Sequence, residues 1–163
     1  MEIGELCGLV NGKARTAAVK KLLASGGNAV IDGLAGSSAA MLFAALPQQA
    51  CPYLIVMNDL DEAGYLYNDL CQLASDKQVL IFPSGYKRDI KYGQVDAPNG
   101  ILRTEVLNQW YASPVLCWVV TYPEALAERV ASRQTIEQTT IELAVGATVD
   151  LIQTAQRLRE LGF

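Results

Sequence analysis

Apolar and polar positions follow two rhythms along this chain. Short apolar runs at 28–32 (NAVID), 53–57 (YLIVM), 79–82 (VLIF) and 115–120 (VLCWVV) predict four β-strands. The run at 53–57 is apolar at every position, as a central parallel strand is, and 115–120 reads as another buried strand. Between them the apolar residues recur at helical spacing: Val19, Leu22 and Leu23; Met41 and Phe43 in a helix ended by Pro47; Ala63, Leu66, Tyr67, Leu70, Leu73 and Ala74; Leu102, Val106 and Trp110. After the fourth run, Thr121 and Glu124 fit a T-x-x-E capping box around Pro123, opening a helix with Leu126, Ala127 and Val130 inside. Strand and helix in alternation predict an α/β fold, a parallel sheet with helices on both faces.

Near Arg133 the rhythm changes. The polar, alternating run at 134–145 (QTIEQTTIELAV) predicts a half-exposed strand, and 149–161 a helix with Leu151, Ile152, Ala155, Leu158 and Leu161 on one face. Residues 1–133 therefore read as one α/β domain. Residues 134–163 read as the start of a second, small α+β domain cut short, because one strand and one helix make a poor domain.

The turn after the first run organises the first domain. Laid on the phosphate-loop pattern G-x-x-x-x-G-K-[ST], Gly33 takes the first glycine, Ser38 the second, Ala39 the lysine and Ala40 the hydroxyl residue, with Gly36 between. Free amides at a helix N-terminus attract an anion by about 0.3–1 kcal/mol, whereas micromolar nucleotide binding needs about 8 kcal/mol. With no lysine for the β/γ-phosphates and no hydroxyl for magnesium, the loop predicts no ATP hydrolysis and at most weak anion binding. A second reading stands beside it: Gly33 and Gly36 simply permit a tight turn and close helix packing.

The 163 residues are 51% hydrophobic and 18% charged, which excludes a disordered tail. No apolar run reaches the ~18 residues of a membrane span, and the N-terminus lacks the pattern of a signal peptide, so the sequence predicts a cytoplasmic chain without a membrane partner. Cys7, Cys51, Cys71 and Cys117 have no C-x-x-C spacing and there is no histidine, which predicts reduced, mostly buried thiols and no zinc site, and removes the usual general base. Asp59, Asp61 and Glu62 read as the dipole-complementing acids of a first helical turn, with Asn58 and Asp59 as candidate caps, against the alternative of a metal site. Net charge is −4, so the whole-chain field repels a polyanion. The exception is local: Tyr86, Lys87, Arg88, Lys91 and Tyr92 interleave aromatics with cations as nucleic-acid contacts do, although Asp89 lies among them and a solvated loop has the same composition.

The runs DGLAGSSAAM, LIVMNDLDEAGYLYNDL, IFPSGYKRDIKYG and WVVTYPEALAERV, in that order, resemble the N-terminal region of the bacterial transcription-repair coupling factors (Mfd), a region itself similar to the excision-repair protein UvrB. The resemblance spans nearly the whole chain and the opening part of a far longer multidomain protein. It implies a helicase-like domain with a decayed phosphate loop, matching Ala39 and Ala40, where UvrB has a functional lysine and threonine. UvrB's long tyrosine-rich hairpin is reduced here to the loop around Tyr86 and Tyr92. The resemblance further implies a parent that is an ATP-dependent DNA translocase, with ATP and magnesium in a downstream motor, which displaces stalled RNA polymerase at lesions and recruits UvrA for nucleotide excision repair. In it this region serves as a non-catalytic module that packs on the rest of the chain and restrains UvrA binding, with the UvrA-binding domain beginning near Ile136. No catalytic, cofactor-binding or metal residue carries over. The alternative is an independent α/β nucleotide- or phosphate-binding protein using loop 33–38.

Overall fold

The computed structural model describes residues 5, 8–10, 12–46, 52–74, 78–86, 96–112, 117–141, 143–146 and 148–160. In chain order its elements are α1 (Ala14–Ala24), α2 (Ser38–Ala44), β1 (Tyr53–Val56), α3 (Leu60–Leu73), β2 (Gln78–Ile81), α4 (Ala97–Ala112), β3 (Cys117–Thr121), α5 (Pro123–Ala127), α6 (Arg133–Thr139) and α7 (Leu151–Glu160). They divide into two compact units, Met1–Glu128 and Arg129–Phe163.

The first unit is α/β. Its three strands pair in parallel in the order β1-β3-β2, with Tyr53 opposite Trp118 and Val79 opposite the same Trp118 on the other side. The path from β1 to β2 passes over β3 and the path from β2 returns to it. Right-handed crossovers in opposite directions put α3 and α4 on opposite faces of the sheet. The central strand is accordingly buried at all five positions. Its Trp118 packs against Tyr53 with ring centroids 5.1 Å apart, and Ala63, Leu66 and Leu70 of α3 and Val106 of α4 close the core from either side.

Two strand expectations fail. Residues 28–32 form no strand among the described residues; Val30 is 98% exposed and Ile31 and Leu34 are also exposed. Three apolar residues between Gly27 and Asp32 offer too little surface to hold an extended segment to a sheet, and a strand exists by its pairing rather than its local pattern. Loop 33–38 therefore leads from an unpaired segment into α2. The run at 53–57 is an edge strand, not a central one: β1 pairs with β3 on one side, and Leu54 and Val56 are about half exposed.

The helices follow their spacing more closely. Gly26, at φ +72°, ends α1 as a residue free to be left-handed, and Val19 and Leu23 meet the core while Leu22 turns outward. The capping box at Thr121 does not form. The Thr121 hydroxyl instead donates to the Phe82 carbonyl at 2.9 Å inside the sheet, and Tyr122 occupies the cap position of α5 without a side-chain capping bond. Ala125 is the inward residue of that helix, while Leu126 and Val130 are exposed.

In the second unit the strand expected at 134–145 begins as helix α6. The Ser132 hydroxyl accepts from the Thr135 amide, Arg133 pairs with Glu137 one turn on, and the Thr139 and Thr140 hydroxyls return to carbonyls of the preceding turn. Among its described residues this unit is helical, without the strand of an α+β domain. Helix α7 starts where Asp150 accepts from the amides of Ile152 and Gln153, and Arg157 donates to the Gln138 carbonyl. None of its residues is buried: Leu151 and Ile152 are about four-fifths exposed.

Candidate functional site

Loop 33–38 is closed on itself. The Gly33 amide donates to the Asp32 carboxylate at 2.8 Å, the Ala35 amide to the Ser38 hydroxyl at 2.8 Å and the Ser38 amide to the Ala35 carbonyl at 3.2 Å. Gly33 and Gly36 take φ of +78° and +55°, which a β-carbon disfavours and glycine accepts. A phosphate-gripping loop instead directs successive amides outward at the anion. Two of these amides face partners within the loop, and the Gly33 amide is taken by the Asp32 carboxylate at its entrance.

A cavity lies on each side of this loop. One, of about 580 Å³, is lined by the start of α1 with Lys13, Arg15 and Thr16, and by Asp32, Gly33 and Ser38. The other, of about 340 Å³, opens at Met57 just past the end of β1, between Gly36, Ser37, Ala39 and Ala40 and the α3 residues Glu62, Tyr65, Leu66 and Asp69. Of the five loop residues singled out from sequence, the structure thus gathers Gly36, Ala39 and Ala40 on the second cavity and Gly33 and Ser38 on the first. The neighbouring acids are explained locally: Asp59 caps α3 by accepting from the Glu62 amide at 2.9 Å, and Glu62 accepts from the Asn58 amide group at 2.8 Å. Among the described residues no group of three or more potential metal ligands is gathered.

Tyr86 of the basic and aromatic loop is exposed. Lys87, Arg88, Lys91 and Tyr92 lie outside the described residues. What roots that loop is a buried polar knot that sequence reasoning missed. Arg103, on the inner side of α4 and 8% exposed, donates through Nη1 to the Pro83 carbonyl at 2.7 Å and the Ala125 carbonyl at 3.2 Å, and lies 3.2 Å from Glu128 Oε2. Its guanidinium stands 4.1 Å over the Phe82 ring, a cation–π contact. Glu128 also accepts from the Gly85 amide at 2.9 Å and from the Ser84 hydroxyl. The Tyr122 hydroxyl accepts from the Ser84 amide, and Asn99 donates to the Ser84 carbonyl. The knot lies past the ends of β2 and β3, on the edge where parallel sheets place their chemistry, yet every described contact is internal and the Arg103 Nη2 is buried with no partner. It holds the chain after β2; it presents no reactive group.

Of the cysteines described, Cys117 is buried and Cys71 is exposed, against the expectation of mostly buried thiols. Burial pushes the Cys117 thiol up, and burial, then a hydrogen bond and charge interaction with Cys71, pushes the Tyr67 phenol up. Cys71, Tyr67 and Glu105 share a further cavity of about 430 Å³ beside β2. No helix among the described residues is long and apolar enough to cross a membrane. Compared with protein-family models, with curated proteins and with solved structures, the chain matches none.

Proposed function

We propose that this chain is a non-catalytic interaction module of the transcription-repair coupling factor kind, a helicase-like domain whose nucleotide loop has lost its chemistry. One observation carries the reading. The Gly33 amide is taken by Asp32, those of Ala35 and Ser38 bond within the loop, and Ala39 and Ala40 stand where a working loop places its lysine and its magnesium-binding hydroxyl. In the parent protein a downstream motor using ATP and magnesium would drive translocation on DNA and displace RNA polymerase. This module would pack on the remaining chain and restrain UvrA binding until the motor engages.

A second reading is favoured by a specific feature. Lys13 and Arg15 line the cavity on the other side of loop 33–38 and supply cations that position 39 lacks, as an independent phosphate-binding protein would require. Asp32 in the same cavity and the closed loop weigh against it. Calorimetric titration with magnesium-ATP separates the two. The module reading expects no saturable binding at millimolar nucleotide. Micromolar affinity, lost on Lys13→Ala with Arg15→Ala, would establish the second. In the full-length parent, surface substitutions on this module are expected to raise UvrA binding or basal ATPase. An unchanged protein across a panel covering the surface would remove the restraint.

A further inference from the structure

The sheet is open along the outer side of β2. In the ladder with β3 the Phe82 amide donates to the Val120 carbonyl at 2.8 Å. Backbone groups alternate sides along a strand, so Leu80 also turns its amide and carbonyl toward β3 while Val79 and Ile81 turn theirs away from it. Among the described residues neither has a hydrogen bond on that outer side. The cavity of about 430 Å³ runs along the same edge: it is lined by all four residues of β2, by Tyr67 and Cys71 of α3 and by Leu102 and Glu105 of α4. Because α3 and α4 cover opposite faces of the sheet, a space that touches both helices and the whole of β2 lies beyond the strand, where the outward amides and carbonyls point. Tyr67 and Glu105 approach each other around that edge; after burial and the contact with Cys71, the Glu105 charge is what pushes the Tyr67 phenol up.

We propose that this edge is a docking strip for an extended, cation-bearing segment of a partner protein, which joins β2 as a fourth strand. The proposal rests on the interaction-module reading and gives it a surface. Half-sheltered backbone donors and acceptors that lack partners are met best by another backbone, in strand addition. Nothing within Gln78–Ile81 guards the edge in the usual way, by a lysine, a proline or a bulge. The one charge on the groove is Glu105, which among the described residues has no ion pair. It selects the guest: a second copy of β2 would bring its own Glu105 into the same groove, like charge against like, whereas a segment with a lysine or arginine at this height meets an acceptor.

The test uses the whole 163-residue chain. In the free chain the amides of Val79 and Ile81 are expected to exchange with solvent at least about tenfold faster than those of Leu80 and Phe82. The peptide acetyl-Thr-Val-Lys-Val-Thr-amide is then titrated while backbone amides are followed by NMR, beside one counterpart with glutamine for lysine and another N-methylated at every internal amide. The lysine peptide is expected to shift the Val79 and Ile81 amides, to slow their exchange and to bind at least about threefold more tightly than the glutamine one. The N-methylated peptide, unable to donate to a strand, is expected not to bind. Glu105→Gln is expected to erase the preference for lysine, and Val79→Pro, which removes an outward donor and leaves the ladder with β3 intact, to abolish binding. Four results each overturn the proposal: binding of the N-methylated peptide at full strength, shifts centred on Leu54 and Val56 at the other edge, exchange at Val79 and Ile81 already as slow as at Leu80, or changes there that follow chain concentration without peptide. If Val79→Pro does not fold, the N-methylated peptide and Glu105→Gln still decide. Micromolar magnesium-ATP binding, read separately, would instead remove the module reading itself.

Discussion

At the scale of single residues, Arg103 shows how far a side chain's surroundings outrun its local sequence. In ILRTEVLNQW it reads as a polar break in an apolar stripe, yet it is the buried centre of contacts to Phe82, Pro83, Ala125 and Glu128, all distant in the chain. A buried charge that loses its partner is costly. Glu128→Ala strips the pairing from Arg103 and the acceptor from the Gly85 amide, and is expected to destabilise the chain by about 3 kcal/mol, read as a lower urea midpoint. Arg103→Met together with Glu128→Leu removes both charges and is expected to lose less than the two single changes added, because the pair is coupled. Strict additivity would show that the pair contributes nothing. Cys117 supports a second expectation. Burial raises its thiol above the ordinary value of 9.0, so the folded state holds its proton longer than the unfolded state does. The stability tied to that proton is complete below the ordinary pKa and is lost as the pH climbs through the raised one. Denaturation midpoints are expected to fall with pH above about 9, on top of the slope from Tyr67 at higher pH, and Cys117→Ala is expected to flatten the first part of that fall.

Helices and strands differed in how plainly they were written. The helix at α3 was legible because its apolar positions repeat correctly and Asp59 caps it, and the cap is testable. Asp59→Ala removes the acceptor of the Glu62 amide and is expected to cost about 1 kcal/mol, with a matching drop in helical circular dichroism stability on heating. Three of the five predicted strands exist. Of the two that do not, 28–32 fails for want of a partner, and the sheet order that made β1 an edge and β3 the centre depends on crossovers that no local pattern records. Residues 134–139 misled for the opposite reason. Their threonines and isoleucine favour a strand by side-chain shape, while Ser132, Arg133 and Glu137 supply a cap and an i,i+4 pair, and the cap won. Loop 33–38 was legible as a tight glycine turn ahead of a helix. Its self-closure was not, because a hydroxyl such as Ser38 gives no sign in sequence of whether it faces a ligand or a neighbouring amide.

For the whole molecule the decisive quantity is charge and where it lies. The chain carries a net −4, while the cations of the basic and aromatic loop, Lys87, Arg88 and Lys91, are three. Each phosphate neutralised on single-stranded nucleic acid steepens the dependence of log affinity on log salt by about 0.7, so contact through this loop alone caps the slope at about −2. The acidic remainder of the chain opposes even that much. Fluorescence anisotropy with a labelled single strand is therefore expected to show no saturable binding near physiological salt. Any binding at low salt should have a slope no steeper than about −2 and vanish when the three cations are replaced by glutamine. A slope several units steeper would mean that cations elsewhere, Lys13 and Arg15 among them, converge on one nucleic-acid surface. An interaction module without a nucleic-acid surface would then be the wrong description of this chain.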